Sequence, residues 1–216
     1  MENWITLDEN HPAVQALCRR DKRIQKVVRM IGPITYRPHD ENPYGFLVEQ
    51  ILSQMLSNRV AEVIAGRLMA LCGGAFTPDA IRALSDEQIR GVGTSNAKVR
   101  YIRALTEAVD AGSLDFDALP ALPDAEVVKR LTAVRGIGMW SAKMYLLFVL
   151  DRPDILPFED VAFLQGYGWA YNTSDFSPAA VRKKCAKWKP HSSVAARFMY
   201  QALDRGFTKE AFHLFK

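Results

Sequence analysis

At 216 residues, 49% apolar and 24% charged, the chain is long enough to bury a substantial core and too apolar to be a disordered tail. Its longest apolar run, near Tyr145 to Leu150, is far too short to cross a bilayer. The start MENWITLDEN lacks the basic-then-apolar layout of a signal peptide, so an intracellular protein with no membrane partner is expected. Cys18, Cys72 and Cys185 are scattered without a CxxC, which excludes a four-thiolate cluster and points to a reducing compartment, while a net charge of +4 is a modest pointer to a polyanionic partner.

Periodicity is helical nearly everywhere. Ile24, Val27, Val28 and Ile31 fall at i, i+3, i+4, i+7, the stripe of a helix on a core, and Gly32-Pro33 ends it. After a proline-bounded loop, Tyr44 to Ser57 is apolar almost all round and predicts one central helix ending in the polar corner Ser57-Asn58-Arg59. A second helix carries Val60, Val63, Ile64 and Leu68. Thr77-Pro78 reads as an N-cap with an N1 proline, and Ser85 with Gln88 as a capping box. Gly93-Thr94-Ser95 turns into a helix with Val99, Ile102, Leu105 and Val109 on one face. Lys98 near that turn reads equally as structural or as a phosphate contact. Residues 110–124 are loop-like. Val127, Val128 and Leu131 start another helix, Ser177-Pro178 caps one near the C-terminus, and a last one begins near His191. No segment of four or more residues shows strand alternation. The expectation is an all-α fold, a two-lobed helical bundle with sub-lobes of about 34–111 and about 1–33 plus 114–216.

The stretch that organises the chain is LTAVRGIGMWSAKMYLLFVLDRPDILPFED, Leu131 to Asp160. Gly136-Ile137-Gly138 sits between two helical patterns, where residues without Cβ allow a hairpin turn. Such a turn presents backbone N–H groups at a helix start, a site for a phosphate. Asp160 lies near the start of the next helix. The functional reading is a nucleic-acid anchor with a carboxylate beside it; the bland one is a glycine turn between packed helices and an N-capping aspartate.

Taken together, four stretches resemble the helix-hairpin-helix superfamily of base-excision DNA glycosylases, and within it the 3-methyladenine DNA glycosylase II, alkylation-repair type. They are Ile51 to Ser57, Gly93 to Lys98, Leu131 to Lys143, and Leu156 to Asp160 followed by Trp188 to Ala196. The resemblance, over about Asp21 to Asp204, implies one catalytic unit with its cleft between the lobes and Asp160 as the carboxylate at the sugar of a flipped nucleotide. Gly136, Ile137 and Gly138 match the phosphate-holding hairpin, often with a bound monovalent cation; Lys143, Lys98 and Ser57 are further DNA-contact candidates. Met55, beside Gln54, falls where relatives insert a wedge. Trp140, Tyr200, Met144 and Phe158 are base-pocket candidates, with Tyr44, Phe46 and Trp169 more readily assigned to the core. Glu159 reads as structural, and His39 and His191 as exposed or capping residues.

Trp140 stands where the bifunctional branch has its lysine, so no lyase step is expected. Gln54-Met55 replaces Gln-Gln, Met144 stands for a tyrosine of some relatives, and the start at Met1, leading almost straight into the helical pattern, sets the expectation of a compact member without the N-terminal β-containing domain of some bacterial relatives. The expected function is release of alkylated purines from double-stranded DNA by a monomer without iron–sulfur cluster or other cofactor. A non-catalytic DNA-binding module and a glycosylase for uracil, etheno bases or hypoxanthine remain open alternatives.

Overall fold

The computed structural model describes residues 4–214. In chain order the elements are β1 (Ile5–Leu7), α1 (Pro12–Arg20), α2 (Lys22–Ile31), β2 (Ile34–Tyr36), α3 (Pro43–Ser53), α4 (Asn58–Leu71), α5 (Pro78–Ala83) and α6 (Asp86–Gly91). Then follow α7 (Asn96–Asp110), α8 (Asp124–Thr132), α9 (Met139–Phe148), α10 (Val161–Tyr171), α11 (Pro178–Cys185) and α12 (Ser192–Asp204). The fold is all-α; its one sheet among the described residues is the antiparallel pair β1–β2, with Thr6 opposite Thr35. Three-residue strands are too short for alternation to reveal. No helix among the described residues is long and apolar enough to cross a membrane.

The chain divides into two compact units, one from the N-terminus to Pro38 together with Asp151 onward, the other His39–Leu150. This differs from the expected division near residues 111–114. The physical reason is the hairpin: α9 packs on both α8 and α3, which keeps the hairpin helices with the middle of the chain.

In the terminal unit the core is built from Leu17, Ile24, Val27, Phe163, Trp188, Phe198 and Met199, each at most 1% exposed. α10 crosses α12 at Gly166, where an added Cβ would lie 2.7 Å from the Met199 carbonyl oxygen. Beneath this crossing, Asp21 caps α2 through the N–H groups of Arg23 and Ile24. It also accepts from Tyr171 Oη and, at 3.0 Å, from Trp188 Nε1, and pairs with Lys187 Nζ at 3.1 Å.

The middle unit is centred on α3. Leu47, Val48 and Ile51 are fully buried, with Ile102, Leu105, Leu131, Tyr145 and Leu147 around them. The capping signals hold. Thr77 caps α5, Ser85 and Gln88 form a reciprocal box on α6, and Ser95 caps α7. The long helix expected through Ser57 does not form as one piece: α3 ends at Ser53, Gln54 is extended (ψ 125°) and Met55 is left-handed (φ 58°). Two hydrogen bonds to partners remote in sequence accompany this early end. Lys98 Nζ donates to the Leu52 carbonyl at 2.7 Å, and Gln54 Nε2 to the Gly136 carbonyl at 2.9 Å.

Candidate active site

In the terminal unit the site centres on Asp160. The segment Leu156-Pro157-Phe158-Glu159-Asp160 folds back on itself, with Phe158 N–H donating to Leu156 O and Asp160 N–H to Pro157 O. Asp160 is thereby placed as the N-cap of α10, its Oδ1 accepting from Phe163 N–H at 2.8 Å. It is 8% exposed, a buried acid at the rim of an aromatic cluster. Tyr200, from α12, donates its hydroxyl to the same carboxylate. Burial and the Asp160 charge push the Tyr200 phenol well above its usual value, so it remains a proton donor at every physiological pH. Its ring meets Phe163 edge-on, centroids 6.5 Å apart. Phe158 is half-buried, with the Arg182 guanidinium 4.5 Å over its ring, and Glu159 is half-buried beside it.

The supporting residues of this loop escaped the sequence reading. Asp151 has left-handed backbone (φ 47°), an uncommon state for a residue with Cβ. It is held by Arg197 Nη2 at 2.8 Å and Tyr36 Oη at 3.0 Å, with the Arg197 guanidinium 3.6 Å over the Tyr36 ring. Further along, Ser192 Oγ donates to Asp154, and Ser193 Oγ donates to Arg152 O while accepting from Ile155 N–H. One signal was available: Arg197 interrupts the apolar run Val194 to Met199 on α12, and a charge on a buried face, here 7% exposed, requires a partner.

In the middle unit the hairpin forms as expected between α8 and α9. Gly136 takes φ 95°, and its missing Cβ would lie 2.2 Å from the Tyr101 ring, so the turn lies flat against α7. Ile137 is buried and anchors the turn, while Gly138 N-caps α9 with no side-chain cap. The first-turn amides and the helix dipole there form the geometry that receives an anion. Trp140 and Lys143 are half-buried on α9, whereas Met144 is 4% exposed within the core.

The remaining candidates are spread over both units. Lys98 is engaged at the end of α3, where Nζ caps the Leu52 carbonyl, and burial lowers its ammonium pKa. Gln54, grouped with Met55 as a wedge, is turned into the hairpin. Met55 itself is 99% exposed at the tip of the turn, and Ser57 is exposed at the N-cap of α4 without a side-chain capping bond. Tyr44, bonded to Thr106 Oγ1, and Phe46 are core residues; Trp169 packs on Phe212 and donates to Glu210 O. His39 lies against Phe46, and His191 is the residue before α12. Among the described residues no group of three or more His, Cys, Asp or Glu is arranged for a metal ion.

A glycine hairpin that caps one helix and a buried aspartate that caps another are the marks of a helix-hairpin-helix protein. The chain belongs to the HhH-GPD superfamily of base excision DNA repair proteins, whose family model matches residues 48–191. It is 30% identical over 158 residues to DNA-3-methyladenine glycosylase 1 of Schizosaccharomyces pombe, covering 70% of this chain and 68% of that one. The crystal structure of a Bacillus halodurans DNA-3-methyladenine glycosidase superposes with TM-score 0.84 at 32% identity, over 97% of both chains. That of the Schizosaccharomyces pombe 3-methyladenine DNA glycosylase in complex with abasic DNA superposes with TM-score 0.81 at 27% identity, over 90% of this chain and 97% of that one.

Proposed function

We propose that this protein is a monofunctional DNA glycosylase that flips alkylated purines out of duplex DNA and hydrolyses their N-glycosidic bond. The observation that carries this reading is Asp160, a buried carboxylate oriented by the Phe163 amide and the Tyr200 hydroxyl. A pure DNA binder gains nothing from a buried, doubly hydrogen-bonded acid, because a carboxylate repels phosphates. The named activities of the similar Bacillus halodurans and Schizosaccharomyces pombe proteins support the same reading.

In the reaction, loss of the base builds oxocarbenium character on the deoxyribose. Asp160 stabilises that charge and orients the attacking water. A purine alkylated at N3 or N7 is cationic and leaves readily, so no second acid is needed. The target is inaccessible within the stack and must be extruded. Met55 fills the resulting gap as the wedge. The amides at Gly136–Gly138 hold a backbone phosphate, and Trp140 offers an aromatic face to a cationic base, an interaction of roughly 0.5–2 kcal/mol. With Trp140 at the position of the family's lysine nucleophile, no imine forms and the product is an intact abasic site. A monovalent cation at the hairpin would add positive charge beside the phosphate. Val134 O and Gly136 O, each accepting one hydrogen bond and retaining a second lone pair, fit as ligands for it.

The test is release of 3-methyladenine and 7-methylguanine from methylated duplex DNA, with Asp160→Asn compared for release and for DNA binding. Release by the wild type, lost in the variant with binding retained, is expected. No release by the wild type from methylated DNA would overturn the reading, and duplexes containing uracil, hypoxanthine or ethenoadenine would then be assayed.

A further inference from the structure

The positive charge of this protein is concentrated in two segments. Residues 12–30 and 178–190 together hold eleven Lys and Arg against a single acid, Asp21; the whole chain holds 28 against 24, leaving the rest with 17 against 23. The unit that carries the hairpin, His39–Leu150, has eleven Lys and Arg against thirteen Asp and Glu. Its amides are dipoles that act at hydrogen-bond range, and its net charge opposes the approach of a polyanion.

The fold brings the two basic segments side by side within the terminal unit. Arg20 donates to the Lys189 carbonyl, Lys187 Nζ reaches Asp21 at 3.1 Å, and the ammonium groups of Lys184 and Lys187 lie 5.7 and 5.4 Å from the Tyr171 ring centroid. Asp21, 2% exposed, and Trp188, fully buried, pin the corner between α1 and α2 to the end of α11. On the outside, Arg19, Arg20, Lys22, Lys183, Lys184 and Lys187 are all exposed. The C-terminal dipoles of α1 and α11 accommodate some of these cations. They give no reason for both helix ends to be locked together, where like charges repel. Two basic segments joined in this way, with their cations exposed, call for an external anion.

We propose that this face is a second duplex-backbone contact, which captures undamaged DNA by its phosphates and supplies the long-range attraction that the hairpin's unit lacks. Lys184 and Lys187 stand against Tyr171 in the last turn of α10, whereas Asp160 caps its first, and eleven helical residues at 1.5 Å each separate those two ends by about 16 Å. Apart from Arg182, which lies over Phe158 beside the Asp160 loop, these cations bind phosphates away from the reacting nucleotide and carry no lesion specificity. The proposal rests on the glycosylase reading above.

The test measures the affinity of the whole protein for an undamaged 20-base-pair duplex between 50 and 300 mM salt. The triple variant Arg19→Gln, Lys22→Gln, Lys183→Gln is compared with a charge-matched control, Arg82→Gln, Arg90→Gln, Arg100→Gln, all exposed residues of the other unit. At roughly 0.9 in log–log slope per phosphate contact, the patch variant should lower the salt slope by two to three and weaken binding at 50 mM at least tenfold. The control should shift the slope by less than one. An unchanged slope in a patch variant of wild-type melting temperature would overturn the proposal and leave the face to an acidic protein partner; an equal effect of the control would overturn it as mere net charge. Wild-type base release from methylated DNA, measured alongside, separates failure of this proposal from failure of the glycosylase reading.

Discussion

The side-chain amide of Gln54 donates to the main-chain carbonyl of Gly136 at 2.9 Å, tying the turn that exposes Met55 to the hairpin. Gln54 is the hinge of that turn. It ends α3 in extended backbone and precedes Met55 in left-handed backbone, a conformation a methionine does not adopt unaided. Lys98 closes the end of α3 two residues earlier, at Leu52, so the chain leading into the turn is held at two points and its tip is fully exposed.

If Gln54 acts by presenting Met55, the two residues are coupled. Gln54→Ala removes one neutral hydrogen bond, worth about 1 kcal/mol, and should lower the melting temperature by about 2–4 °C. It should also reduce kcat/KM for base release several-fold. The same substitution made in a Met55→Ala background should cost at least about 0.5 kcal/mol less in transition-state stabilisation. Full additivity in this double-mutant cycle would show that Gln54 serves the hairpin alone.

Much of this arrangement was legible in the sequence. The stripe Ile24, Val27, Val28, Ile31 is α2, the caps at Thr77, Ser85 and Ser95 stand where their side chains place them, and Gly136 and Asp160 mark the hairpin and the acid. These are local signals, each readable within about one helical turn. What escaped is set by partners far apart along the chain. α3 stops at Ser53, beside the hydrogen bonds from Lys98 to Leu52 and from Gln54 to Gly136, although its apolar pattern continues. The Asp151–Arg197–Tyr36 network joins residues 46 and 115 positions apart, and no spacing rule connects them. The hairpin helices belong with the middle unit because α9 packs on α3, a tertiary fact that periodicity does not contain.

Tyr200 was expected as a pocket aromatic, and its hydroxyl proves to be the more specific part. Tyr200→Phe keeps the ring against Phe163 and removes a hydrogen bond to a charged group, an interaction of about 1.5–3 kcal/mol. The expected result is a fall in kcat of roughly 10- to 100-fold, with little change in affinity for abasic-site DNA. Because its phenol titrates well above the usual value, the wild-type rate should show no loss up to pH 10 from Tyr200 ionisation. A wild-type kcat in the phenylalanine variant would reduce Tyr200 to packing.

Asp21 gives the fold an acid-sensitive joint. Burial raises its pKa, but hydrogen bonds from Tyr171 and Trp188 and the pairing with Lys187 outweigh burial and hold it below the ordinary carboxylate value of 3.8. A depressed folded-state pKa means that the unfolded chain binds the proton more readily. The stabilisation is therefore complete above the unfolded value and is lost as pH falls below about 4 through the folded one. Asp21→Asn keeps the size and one acceptor but removes the charge that Lys187 faces, and should destabilise the protein by about 1–3 kcal/mol at pH 7. The difference from wild type should shrink as pH falls from 5 to 3. Urea denaturation across that range checks it, and a difference that stays constant with pH would assign the loss to packing instead of charge.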